Sequence, residues 1–145
     1  MISNKCHYAL RALVELAKRE GAGPATITEI AQAQNIPARF LEAILRQLKQ
    51  AGMTESIRGK RGGYALARSA REITMGDVIR LIEGPPFIRQ EPNSGPAEPP
   101  HPDIFEPIWE EAKDAINAVY DSKNLADLAA KEREQAMNYV PDYVI

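Results

Sequence analysis

Between Thr54 and Ala67, two short strand-like runs flank Arg58-Gly59-Lys60-Arg61-Gly62-Gly63, a turn dense in glycine and positive charge. Glycine supplies the positive φ angles of a tight hairpin turn, and its missing side chain lets neighbouring backbone approach closely. Three basic side chains then project from the tip, the chemistry of a phosphate contact. Immediately upstream, residues 26 to 52 read as two helices joined by a short turn. The order helix, turn, helix, basic hairpin implies a mainly α fold with a small β-hairpin wing, a winged helix-turn-helix DNA-binding unit.

The rest of the chain is punctuated clearly enough to set that unit in place. Ala9, Leu10, Leu13, Val14 and Ala17 recur at helical spacing, which predicts an amphipathic helix over about 3 to 19, closed by Gly21. Thr26 and Glu29 make a capping box for a helix that buries Ile27, Ile30 and Ala31 and ends at Asn35, a residue that tolerates the left-handed conformation. Pro37 suits a first helical position. From there Phe40, Leu41, Ile44, Leu45 and Leu48 form one apolar stripe, with Arg39, Glu42, Ala43, Arg46 and Gln47 outside it, until Gly52. This is the expected recognition helix. After the hairpin, Thr74 and Asp77 open a helix burying Val78, Leu81 and Ile82 that stops at Gly84-Pro85.

Residues 85 to 102 hold seven of the eleven prolines and cannot be helical. Beyond this connector, Ile108, Ala112, Ala115, Ile116 and Val119, together with Trp109, mark a helix over about 104 to 121 with Pro107 in its first turn. Asn124 and Asp127 cap a last helix to about Asn138, and the apolar tail from Tyr139 to Ile145 is expected to pack. The expected organisation is a DNA-binding domain over 1–84, a Pro-rich loop over 85–102, and a dimerisation helix with the C-terminal helix and tail over 103–145. The helix near 104 to 121 has an aliphatic stripe left over once the preceding unit has folded. A partner subunit would cover it, whereas intrachain packing is the alternative.

The net charge of −2 conceals an asymmetry: residues 1–72 carry +6 and residues 73–145 carry −8. A positive N-terminal half suits a polyanion, since Lys and Arg that neutralise phosphates release condensed counterions. The acidic half should face elsewhere. No apolar run approaches the roughly 20 residues that span a bilayer, and no signal-peptide pattern opens the chain, so a cytoplasmic location is expected. One cysteine, Cys6, excludes an intrachain disulfide and every cysteine-rich zinc module. No catalytic triad, paired-carboxylate or phosphate-loop pattern is present, so an enzyme is not expected.

Tyr8-Ala-Leu-Arg-Ala-Leu13, Ile36 through Gly52, Arg58-Gly-Lys-Arg-Gly-Gly-Tyr64-Ala-Leu-Ala and Ile73-Thr-Met-Gly-Asp-Val-Ile-Arg-Leu-Ile-Glu-Gly84 resemble the Rrf-two family of bacterial transcription regulators. The match is close over about 1–84 and extends beyond it only in layout. The resemblance implies a homodimeric regulator, mostly a repressor, that binds pseudo-palindromic promoter DNA and whose long helix crosses its partner's. It carries recognition-helix contacts onto Pro37, Arg39, Phe40, Glu42 and Ala43 and a minor-groove arginine onto Arg58. Arg46 and Thr28 are further candidates on the two helices, as are Lys60, Arg61, Gly62, Gly63 and Tyr64 in the wing. Arg39 suits guanine O6 and N7, Glu42 suits cytosine N4, and Lys60 and Arg61 suit phosphate. Phe40 also lies on the apolar stripe, which points to the core rather than to a thymine. The dimer contact would involve Ile108, Trp109, Ala112, Ala115, Ile116 and Val119.

Well-known members of that family hold an iron-sulfur cluster on three cysteines in the loop before the dimer helix, whereas residues 85–102 contain none. Cys6, His7 and His101 would be an unusual substitute. No metal or cofactor is therefore expected. Cluster-free members regulated through a protein partner are closer analogues, which leaves a regulatory protein or a small-molecule effector as the further partner. The alternatives are a winged helix used only for protein contact, and a redox- or metal-responsive regulator using Cys6 and His7.

Overall fold

The computed structural model describes residues 1–86 and 101–139. Six α-helices and one two-stranded hairpin are found among them: α1 (Asn4–Lys18), α2 (Ile27–Gln34), α3 (Ala38–Gln50), β1 (Thr54–Ile57), β2 (Gly63–Leu66), α4 (Met75–Glu83), α5 (Glu106–Asp121) and α6 (Leu125–Asn138). A single 3-10 turn, Ala70–Glu72, leads into α4. The expected mainly helical winged architecture is the one observed.

Local chemistry sets the helix ends. Thr26 Oγ1 accepts from the Glu29 amide at 3.1 Å and the Glu29 carboxylate accepts from the Thr26 amide at 3.4 Å, so two otherwise orphaned donors are satisfied reciprocally. Thr74 and Asp77 repeat the device at the start of α4. Asn35 closes α2 at φ 51°, ψ 50°, turning the chain within a few residues into α3. Pro37 differs by one place from the sequence expectation. Its ψ of 122° makes it the residue before the helix rather than part of the first turn.

Two apolar clusters hold the unit together. Leu13, Val14, Ile44, Leu48, Ile73, Val78 and Leu125 anchor one, and Leu16, Ile30, Ile36, Leu41 and Leu45 anchor the other. Helix α1 contributes to both, and so does α3, through Ile44 and Leu48 in one and Leu41 and Leu45 in the other, so α3 is fixed along its inner face. On α4, Val78 and Ile79 are buried, whereas Leu81 and Ile82 are half-buried at the margin, a one-step rotation from the expected face. The last helix folds back onto the first. Met75 N–H donates to Lys123 C=O and Leu125 N–H to Ile73 C=O at 2.7 and 2.9 Å, which places Leu125 and Ala129 in the same core as Ala9 and Leu13.

A charged network reinforces that return. Glu15, only 5% exposed at its side chain, meets Lys18 Nζ and Arg19 Nε at 3.2 Å each. Glu132 of α6 reaches Lys18 at 2.9 Å and accepts from Gln34 Nε2 at 3.0 Å. Gln34 is the last residue of α2 and also donates to Glu15 at 3.4 Å. Burial opposes ionisation of Glu15, but the hydrogen bonds from Arg19 and Lys18 outweigh it and hold the carboxyl below the usual carboxylate range. Burial opposes the charge on Lys18 as well, but its hydrogen bonds to Glu132 and Glu15 outweigh it and raise the ammonium above its usual range.

Helix α5 stands apart: none of its residues is buried. Arg80 of α4 holds it, bonding Asp121 at 2.7 Å and Asn117 at 3.1 Å. The expectation for the Pro-rich connector lies largely outside the described residues, as does the tail from 140 onward. Tyr139, expected to pack with that tail, is 71% exposed.

Candidate nucleic-acid interface

The wing begins as an antiparallel pair running from Thr54↔Leu66 to Ile57↔Gly63. Its root is locked to the start of α2, because Ala25 and Tyr64 exchange both backbone hydrogen bonds, at 2.9 and 2.7 Å. That close approach explains Gly63. With φ at 152°, a Cβ there would lie 2.4 Å from the Ala25 carbonyl oxygen. At Gly62 a Cβ would meet the Ile57 carbonyl oxygen at 2.3 Å. Both glycines therefore shape the turn and carry no side chain that could contact a ligand.

Arg58, Lys60 and Arg61 are exposed at the tip. Among the described residues none of the three has a carboxylate partner, which leaves their donors available. Tyr64 behaves differently. It is half-buried against the cluster of Leu16, Ala25 and Ile30, where it braces the wing from below. Lys49 Nζ donates to Ser56 Oγ at 2.7 Å, tying the end of α3 to β1.

On α3, Arg39, Glu42, Ala43 and Arg46 are exposed, and Pro37 is half-buried. Glu42 and Arg46, one turn apart, form an ion pair at 3.1 Å with both side chains 64% exposed. So open a pair adds little to stability and can be broken by an incoming ligand. Phe40 departs from its place on the apolar stripe: it is 44% exposed rather than core. Its ring stacks on Tyr8, centroids 6.2 Å apart and planes at 19°, and the Arg39 guanidinium lies 4.7 Å above its centroid. The reason is positional. Phe40 sits in the first turn of α3, beside the beginning of α1 rather than its packed middle. These residues line a cavity of about 310 Å³ with Asn4, Lys5, Ala43 and Ile44. Asn4, Lys5 and Tyr8 were missed from sequence, since nothing local to α1 reveals that its first turns lie beside the first turn of α3. Thr28 is exposed near the start of α2. No bond or ring contact links it, or the wing-tip cations, to the first turn of α3 among the described residues.

Along α5 the candidate contacts divide. Ile108, Trp109 and Val119 are 55, 48 and 60% exposed, and Ala115 is exposed too. Ala112 is half-buried, as is Ile116, which lines a cavity with Ile79, Arg80 and Tyr120 of its own chain. Two exposed residues outside the expected stripe extend the apolar surface, Ile104 at 76% and Phe105 at 53%. The Phe105 ring lies 6.4 Å from that of Trp109.

A family model described as an iron-dependent transcriptional regulator, Rrf2, matches residues 2–131. The regulator CymR of Bacillus subtilis is 39% identical over 143 residues, covering 96% of this chain and 99% of its own. Its solved structure superposes with a TM-score of 0.75 over 90% of this chain and 97% of that one. The structure of T. potens IscR, 34% identical, superposes at 0.74 over 99% of this chain and 94% of that one.

The iron in that description finds no match in these residues. Cys6 is wholly buried, and burial together with the negative charge of Glu83 pushes its thiol up to about 11, which keeps it protonated in the metal-free protein. His7 and His101 are exposed. Among the described residues no three His, Cys, Asp or Glu side chains gather to hold a metal ion. No described helix is long and apolar enough to cross a membrane. With a helix-turn-helix unit, a basic wing and relatives that align over nearly their whole length, the chain is a DNA-binding transcription regulator, not an enzyme, and belongs to the Rrf2 family.

Proposed function

We propose that this regulator binds an inverted-repeat operator as a homodimer and represses by occupying promoter DNA. In this reading α3 enters the major groove, Arg39 reads a guanine, and Glu42 accepts from a cytosine once Arg46 swings to phosphate. Pro37, Phe40, Ala43 and Thr28 line the approach. Arg58 enters the minor groove, while Lys60 and Arg61 bind phosphates, with Gly62, Gly63 and Tyr64 holding the wing in shape. The observation that carries the reading is the set of exposed cations, Arg39, Arg58, Lys60 and Arg61, that have no carboxylate partner among the described residues. Cations left free within a net-acidic protein suit a polyanion.

In the same reading, residues 1–84 contact DNA, 85–102 connect, and 103–145 bring α5 to its counterpart in a second subunit. The exposure of Ile108, Trp109, Val119 and Ala115 supports that pairing, with Ala112 and Ile116 at its margin. Helix α6, packed on α1 and bonded through Glu132 to Gln34, then links the paired helix to the DNA-reading unit. A protein or small-molecule effector would act on that link. CymR is described as the global cysteine regulator of B. subtilis, which makes sulfur metabolism the first place to seek the signal.

Selection from a pool of randomised duplexes tests the reading, combined with sedimentation of the free protein. The expected result is an inverted repeat with half-sites about one helical turn, or a multiple of it, apart, bound by a dimer. Recovery of unrelated sequences, or a monomer at micromolar concentration, would overturn it.

A further inference from the structure

We propose that Phe40 is a positioning residue for Arg39, forming with Tyr8 an aromatic platform that holds the guanidinium in a base-reading orientation. The inference rests on the reading of Arg39 as a base contact. A free arginine at the start of a helix samples many rotamers, and fixing it on DNA costs side-chain entropy. Here the guanidinium lies 4.7 Å above the Phe40 ring centroid, within the range where the ring quadrupole attracts a cation. The ring is in turn stacked on Tyr8, whose own helix is anchored in the core through Ala9, Ala12 and Leu13. A chain of contacts therefore runs from the core to the tip of Arg39.

Two further observations single out this arrangement. Arg46 and Arg19 are engaged by Glu42 and Glu15, whereas Arg39 has no carboxylate partner among the described residues. Only its π face is occupied, so its N–H donors stay free for a bidentate contact. Moreover, Phe40 remains 44% exposed although apolar, and the cavity beside it is open. The Phe40 ring is instead occupied on its faces by Tyr8 and the Arg39 guanidinium.

The test uses the duplex recovered from the randomised pool and its single base-pair variants. Arg39→Ala should lower discrimination at one base pair by roughly five- to a hundredfold. Phe40→Leu should lower it at the same base pair by about two- to fivefold, and Phe40→Trp should retain it. The double variant Arg39→Ala, Phe40→Leu should match Arg39→Ala alone, because the platform acts only through the guanidinium. If Arg39→Ala loses discrimination and Phe40→Leu does not, the platform is wrong while the reader stands. If Phe40→Leu acts at another base pair, or adds fully to Arg39→Ala, Phe40 is itself a contact and the platform is again overturned. If Arg39→Ala changes discrimination nowhere, the base-reading assignment fails and the platform with it.

Discussion

Replacing Glu15 by Gln should destabilise the protein by about 2 kcal/mol at neutral pH, because it removes a negative charge at the junction of α1 and α2 that is almost wholly buried. The carboxylate accepts from Lys18 and Arg19 at 3.2 Å and from Gln34 at 3.4 Å, with its side chain 5% exposed. Hydrogen bonds to charged groups contribute about 1.5–3 kcal/mol net, and stranding a fully buried partner raises the loss to roughly 3–5 kcal/mol. The lower figure applies here. Lys18 keeps Glu132 at 2.9 Å and Arg19 keeps Glu29 at 3.2 Å, and both cations retain access to water.

For a chain of this size, about 2 kcal/mol lowers Tm by roughly 4–8 °C. The pH dependence gives a second readout. The Glu15 carboxyl lies below its unfolded value, so its contribution is fully present above about pH 4.3, the ordinary glutamate pKa. It is lost as pH falls through the folded value. The gap between wild type and Glu15→Gln, followed by thermal melting, should therefore narrow as pH falls below about 4.3. A variant melting within a degree of wild type at pH 7, or a gap that stays constant on acidification, would refute the role assigned to the network.

Three further outcomes are expected. Arg58→Ala should cost about 1–3 kcal/mol of specific operator affinity, whereas Arg61→Ala should weaken all duplexes alike and reduce the salt slope by roughly one, measured by fluorescence anisotropy. Trp109→Glu should turn a dimer into a monomer in sedimentation velocity, since it places a charge where an apolar contact is proposed; a variant that stays dimeric would exclude α5 as the contact. Cys6, held protonated inside α1, should resist a thiol reagent at pH 8 until the protein unfolds, and Cys6→Ala should leave operator affinity unaltered. Rapid labelling of the native protein would reopen a redox role.

How far the sequence was readable depended on the range of the forces involved. The Thr26–Glu29 and Thr74–Asp77 capping boxes and the left-handed Asn35 are local chemistry, and the structure has them where their residue types predict. The wing was equally legible, since glycines at the turn and cations at the tip are local too. Phe40 was not. Helical periodicity places it with Leu41 and Ile44, but whether that face is covered depends on where α1 begins, a contact 32 positions away in sequence. The return of α6 onto α1 escaped for the same reason: Lys18 and Glu132, which join the two helices, and Ile73 and Leu125, bonded where α6 starts, are separated by long stretches of chain. Glu15 looks like a surface glutamate at helical spacing, and only the assembled fold surrounds it with cations.

Recognition of a particular duplex through α3 and the wing is what sets this reading apart from a winged helix used only for protein contact. It is tested most directly by titrating the wild-type protein against the selected duplex and a scrambled one at several salt concentrations. At least a roughly thousandfold preference for the selected duplex is expected at physiological salt, with affinity for both falling steeply as salt rises. Equal affinity for the two duplexes, or binding insensitive to salt, would contradict it.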